Sequence, residues 1–252
     1  MEFIKKYKSY LIIVLVLILS FVYYVNRSPQ TNNVITASVE PDPTMVMCFG
    51  DSNTWGTDPH DHSRYHKHIR WTGILQDKLG DEYEVVSEGL NGRTTAFDTS
   101  FTYGNGLQVL PSAIGSNKPI DYLIFMLGTN DCKIGQEESA ADIAEGMEEL
   151  VDCAEDTCTK LQGYIPTIII VSPPALRDEV VDSDNNDIFD AESVKKSHEI
   201  GPLYEKIAKK HNCLFVNGTN TLEVSEIDCV HMTELGHKEL AEILYHTISQ
   251  HQ

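Results

Sequence analysis

A serine, an aspartate–histidine pair and two sets of hydrogen-bond donors stand where their types could add up to nucleophilic catalysis. Ser52 lies in the stretch Met45-Val46-Met47-Cys48-Phe49-Gly50-Asp51-Ser52-Asn53-Thr54-Trp55-Gly56. An apolar run closed by a turn signal reads as a buried strand that ends at the serine. In an open α/β sheet the carboxyl edge of the strands is where ligands bind. A serine there needs a base for its proton and donors for the oxyanion. Asp228-Cys229-Val230-His231 offers the base: the acid fixes the imidazole tautomer and stabilises the imidazolium, and the imidazole takes the serine proton. His237 competes for that role, but it falls inside an expected helix and reads as structural. Gly89 and Gly92 sit in a strand-to-loop turn, where glycine exposes backbone amides to a ligand or simply makes a tight bend. Gly128-Thr129-Asn130-Asp131 puts a side-chain amide donor, Asn130, after another apolar run.

These residues need a scaffold, and hydrophobic periodicity supplies one. Residues 45–49, 83–87, 119–127, 165–171 and 213–217 read as five strands. Residues 70–79, 107–114, 139–161, 191–211 and 233–248 carry helical spacing. Strands alternating with helices point to an α/β fold with a parallel sheet. A polar, acidic stretch over residues 177–190 is either a lid or an excursion. Trp55 either lines a pocket beside the serine or packs in the core, and Asp51 and Asn53 are the other candidate pocket residues.

The N terminus is built differently. Residues 10–25 are apolar except for Ser20, and Lys5, Lys6 and Lys8 precede them. That order reads as an uncleaved signal-anchor in preference to a cleaved signal peptide, with the lysines cytoplasmic and the remainder outside. The expected organisation is a basic tip and anchor over residues 1–27, a polar linker over 28–44 and one domain over 45–252. The net charge is −19. Residues 1–37 carry +3 of it, so the rest carries −22, a surface that repels polyanions and argues against nucleic acid as a partner. Six cysteines on the outer side allow disulfides without specifying any; Cys48 and Cys213 fall in strand-like runs and read as buried thiols. His60, His62, His66 and His68 lie beside Asp58 and Asp61. They read either as a solvated loop or as metal ligands, but lack the spacing of a metal-binding helix.

Taken in order, Gly50-Asp51-Ser52, Asn91-Gly92-Arg93-Thr94-Thr95, Gly128-Thr129-Asn130-Asp131 and Asp228-x-x-His231 resemble the motif blocks of the SGNH (GDSL-type) hydrolases. Each block is weak alone; four in order at strand ends are specific. The resemblance runs from Met45 to His246. Phe49-Gly50-Asp51-Ser52-Asn53-Thr54-Trp55-Gly56, Arg70-Trp71-Thr72-Gly73 and Glu88-Gly89-Leu90 look closest to the bacterial arylesterase/acyltransferase branch. It implies a flavodoxin-like three-layer α/β/α sandwich with a five-stranded parallel sheet. It implies Ser52 as nucleophile, His231 as base and Asp228 as orienting acid. The Ser52 and Gly92 amides and the Asn130 side chain would form the oxyanion hole. No cofactor or metal is implied. Members of this branch act on short acyl esters, including acetylated sugars, and some form homo-oligomers. Asn53 stands where the family has Leu, and the N-terminal anchor is not typical of the branch.

The expected function is hydrolysis of short-chain acyl esters through an acyl-enzyme, on a small ester or an acetylated glycan. Lysophospholipase or thioesterase action on longer acyl chains is the alternative chemistry. A surface module that only binds acylated sugars is the alternative class, and it gives no reason to keep Ser52, Asp228 and His231 together.

Overall fold

Along the first strand of the domain, side chains alternate between two apolar layers. Met47 and Phe49 join one buried cluster, and Val46 and Cys48 join another. A strand apolar on both faces belongs inside a parallel sheet covered by helices on each side. The computed structural model has this arrangement. It describes residues 2–27, 41–100 and 102–251; in the first of these segments, side chains are described only for residues 7, 8, 10 and 13–24.

The element order is α1 (Glu2–Arg27), β1 (Thr44–Gly50), α2 (Ser52–Trp55), α3 (Trp71–Leu79), β2 (Tyr83–Gly89), α4 (Gly106–Asn117), β3 (Tyr122–Met126), α5 (Ala140–Gln162), β4 (Thr167–Ser172), α6 (Ala191–His211), β5 (Leu214–Asn217) and α7 (Glu234–Ser249). Single 3-10 turns cover Asn130–Cys132 and Asp178–Asp182. The five strands pair in parallel in the order β2-β1-β3-β4-β5. Leu110 and Ile114 of α4, Met147 and Leu150 of α5 and Ile200 and Tyr204 of α6 cover one face of the sheet. Trp71 and Leu75 of α3 and Leu240 and Leu244 of α7 cover the other. A smaller cluster of Leu176, Val180, Phe189, Val194, Cys229 and Val230 lies among the connections.

All ten expected elements of the domain form, with ends shifted by a few residues. The strand expected over residues 119–127 shortens to Tyr122–Met126. Here Ile120 N–H is engaged by the Gln162 side chain rather than by a ladder. The helix α2 is an addition. Its one turn is too short for periodicity to detect, and the Asp51 carboxylate caps it by accepting from Asn53 N–H at 2.9 Å.

The chain divides into two units, residues 1–41 and 42–252. In the first, α1 carries the apolar run, and its described residues from Ile13 to Leu19 are all more than half exposed. Among the described residues no helix is long and apolar enough to cross a membrane. The apolar run over residues 10–25 is about 24 Å of helix, against a hydrocarbon core of about 30 Å. Membrane anchoring is therefore not established by the fold. Most of the expected linker, residues 28–40, lies outside the described residues.

Candidate active site

The strand order reverses direction between β1 and β3. Such a switch point leaves a crevice at the carboxyl ends of the strands. Ser52 follows β1 and Asn130 follows β3, so both flank that crevice. β2 ends on the other side of β1, and Gly89, its last residue, meets α2: a Cβ there would sit 2.2 Å from Trp55 N. Only glycine lets the strand end pass this close, and the chain then turns through Asn91 to Gly92, whose φ is +81°.

His231 reaches the crevice from the connection between β5 and α7. Its Nε2 lies 2.9 Å from Ser52 Oγ, and its Nδ1 lies 2.5 Å from Asp228 Oδ2. A carboxylate only accepts, so Nδ1 carries the proton and Nε2 accepts from the serine hydroxyl. Asp228 Oδ1 accepts from the Val230 and His231 amides, at 3.1 Å each. Burial pushes the Asp228 carboxyl up, but His231 and those amides outweigh it and hold it below the usual carboxylate value. It stays ionised at neutral pH, as an orienting acid must.

The expected oxyanion donors are close by. Ser52 begins α2 and Gly92 sits in its left-handed turn, and neither backbone N–H meets an acceptor among the described residues. Asn130 Nδ2 donates one hydrogen to Arg93 O at 3.0 Å, leaving the other unassigned. Ser52, Gly92, Asn130 and His231 all line one cavity of about 350 Å³. Its remaining wall comes from Thr57, His62, Asn91, Lys133, Asn185, Ile188, Phe189 and Val230.

Three expected pocket residues do not line this cavity. Asp51 is fully buried as the cap of α2; burial lifts its carboxyl to about 6, only partly offset by the Asn53 amide and His231. Asn53 turns inward, and its Oδ1 accepts from Met232 N–H at 2.9 Å, the residue after His231. Its polarity therefore supports the loop and not the pocket. Trp55 lies under the Arg64 guanidinium, 5.1 Å from its ring centre. His237, the competing base, is fully buried. Its Nδ1 accepts from Trp71 N–H at 3.3 Å, and burial pushes its pKa down to about 3, so it stays neutral.

Sequence reasoning missed Lys133, Asn185, Ile188 and Phe189. The last three belong to the acidic stretch 177–190, which forms part of the cavity wall. Asn185 Nδ2 donates to Asp228 O at 2.8 Å, and Ile188 O accepts from Ile134 N–H at 2.9 Å. The apolar pair Ile188-Phe189, one of two such pairs in an otherwise polar and acidic loop, was the available signal.

The histidine-rich loop does not converge on one point. His60 pairs with Asp58, His68 with Asp77, and His66 stacks against His68. Among the described residues, a grouping able to offer three ligand atoms occurs at Asp152, Glu155 and His211, none of which lines the cavity. All six cysteines are free; Cys48 is buried, as expected, and Cys213 is half-buried.

Residues 48–239 match the model of the GDSL-like lipase/acylhydrolase family. Among solved structures, a carbohydrate acetylesterase from Sinorhizobium meliloti is 33% identical, with TM-score 0.75, covering 83% of this chain and all of its own. The native aryl esterase of M. smegmatis is 30% identical, with TM-score 0.76 over 82% of this chain and 99% of its own. A carbohydrate acetylesterase family member from Sinorhizobium meliloti is 34% identical, with TM-score 0.75 over 82% of this chain and 98% of its own. No curated protein matches the chain.

Proposed function

The chain belongs to the GDSL-like lipase/acylhydrolase family, and from that premise we propose that it hydrolyses short-chain acyl esters, acetyl esters above all, through Ser52, His231 and Asp228. The observation that carries this reading is the unbroken hydrogen-bond chain from Asp228 through His231 to Ser52, open to a cavity. Ser52 Oγ attacks the ester carbonyl carbon while His231 Nε2 takes its proton. The oxyanion is held by the Ser52 and Gly92 amides and Asn130 Nδ2. His231 then returns the proton to the departing alcohol oxygen, leaving an acyl-Ser52. Water repeats the sequence, releasing the acid and restoring the serine.

The cavity volume of about 350 Å³ is at the small end for ligand sites. The relatives described as aryl esterase and carbohydrate acetylesterase support an aryl ester or an acetylated sugar as the substrate. A panel of acetyl, butyryl and octanoyl aryl esters beside peracetylated sugars tests the reading. Wild type turns over acetyl esters fastest and Ser52→Ala turns over none. Preference for octanoyl esters would favour the long-chain alternative, and equal inertness of folded wild type and mutant would favour a binding module.

We propose that α1 anchors the protein in a membrane, with Lys5, Lys6 and Lys8 inside and the hydrolase domain outside. Support comes from the charge order and from the run over residues 10–25, whose one polar residue is Ser20, a composition that suits lipid. Retention in the membrane pellet after carbonate washing is the expected result; release into the supernatant would contradict it. Self-association of the hydrolase unit is a further proposal that rests on the family resemblance alone; sedimentation as a dimer or larger species would support it and sedimentation as a monomer would contradict it.

A further inference from the structure

The cavity holding Ser52 and His231 contains no carboxylate in its wall, although the chain carries 38 acidic residues and the adjoining 177–190 loop carries six of them. Its one lysine is Lys133, which follows the turn bearing Asn130. Lys133 also lines a second cavity of about 350 Å³ that shares Gly92 and Asn130 with the first and continues past Thr94, Asp98 and Gln136. The lysine thus stands where the two cavities meet, beside the oxyanion donors.

The Lys133 ammonium is half-buried, and no carboxylate lies within ion-pair distance of it among the described residues. The Lys133 ammonium lies 6.0 Å from the ring centre of Phe189, a distant contact. Lys196 differs. That buried lysine is satisfied by the Gln136 and Glu138 carbonyls. Asp51 and Asp131 attract Lys133 from a distance, yet burial still lowers its pKa. A partly desolvated cation without a direct partner is the arrangement that a ligand anion completes.

We infer that Lys133 is a specificity-determining residue that binds a carboxylate carried by the alcohol part of the ester substrate. This rests on the ester-hydrolase reading above. The alcohol oxygen must reach His231 Nε2 to be protonated, so the alcohol part lies in the first cavity, where no acidic side chain opposes an anion. The second cavity, further from His231, contains Asp98 and is less hospitable to negative charge. The substrate class is therefore an acyl ester of a hydroxy acid, such as an acetylated acidic sugar or an acetoxybenzoate.

The full-length protein in detergent, assayed with paired esters, provides the test. 3- and 4-acetoxybenzoate are compared with their neutral methyl esters, and 4-nitrophenyl hydrogen succinate with 4-nitrophenyl butyrate. The readout is the ratio of kcat/KM for the charged over the neutral member, because comparing that ratio between variants cancels intrinsic reactivity. Lys133→Met lowers the acetoxybenzoate ratio about tenfold, mainly through KM, and Lys133→Glu lowers it further. Lys133→Arg keeps it within about threefold of wild type. Raising salt weakens the wild-type ratio and leaves that of Lys133→Met flat. A ratio unmoved by Met and Glu overturns the inference, as does a lysine-dependent preference in the succinate pair alone, which would put the anion on the acyl side. Turnover of neutral esters with either result leaves the hydrolase reading standing. No turnover of any ester removes both.

Discussion

Asp228 holds His231 through two different oxygens, one on the ring and one on the backbone. Replacing it with Asn leaves the shape but donates to Nδ1, which flips the imidazole tautomer and removes the acceptor that Ser52 needs. Asp228→Asn should lower kcat by about 10³–10⁴ with KM little changed. Asn130→Ala removes one oxyanion donor and should lower kcat by about 10²–10³. A larger effect on KM than on kcat in either variant would argue for a ground-state binding role. A second residue-scale consequence concerns Asp51 and Asp131, both fully buried and both lifted to about 6 from an ordinary 3.8. Burial is the main cause for each; Asp51 adds to the rise at Asp131, and the Asn53 amide, His231 and Lys133 partly offset the shift at Asp51. Between pH about 4 and 6 the folded state then binds more protons than the unfolded one, so stability falls as pH rises through that window. Asp51→Asn keeps the α2 cap and cannot ionise, so its melting temperature should fall less than that of wild type between pH 4 and pH 7. Parallel curves would show that Asp51 does not titrate there.

At the scale of elements, the site is assembled by connections that hold one another. The Asn53 side chain spans 179 positions to receive the Met232 amide, fixing the loop that carries His231 to the helix that carries Ser52. Asn53→Leu restores the residue usual in the family but leaves a buried amide unpaired. It should destabilise the domain by about 1–3 kcal/mol and lower kcat, measured by urea unfolding beside a kinetic assay. Unchanged stability would mean that another acceptor replaces the side chain. Such links mark what the sequence concealed. β1, β3 and β4 were legible because buried parallel strands are continuous apolar runs, and α5 and α6 because one face repeats over five turns. Ser52, His231 and Asp228 were legible because strand ends and turn signals bracket them. The wall formed by Lys133, Asn185, Ile188 and Phe189 was not, because loops have no periodicity and a residue's partners there depend on tertiary contacts. Asn53 beside the nucleophile reads as a pocket residue until its partner 179 residues away is known.

The whole molecule joins an acidic hydrolase unit to a basic, apolar N-terminal segment. The fold places the crevice at the β1/β3 switch point, where Ser52, Gly92, Asn130 and the loop-borne His231 meet although they lie far apart in sequence. The overall charge of −19 repels anionic ligands at long range. Selection of a charged substrate would then depend on one local cation. Everything proposed about substrate stands on Ser52 being an activated nucleophile. The most direct measurement is covalent labelling with a fluorophosphonate followed by intact-mass and peptide mapping. A single adduct on Ser52 is expected in the wild type, none in Ser52→Ala, and strongly slowed labelling in His231→Ala. A folded wild type that takes no label, or an adduct that persists in Ser52→Ala, would contradict it.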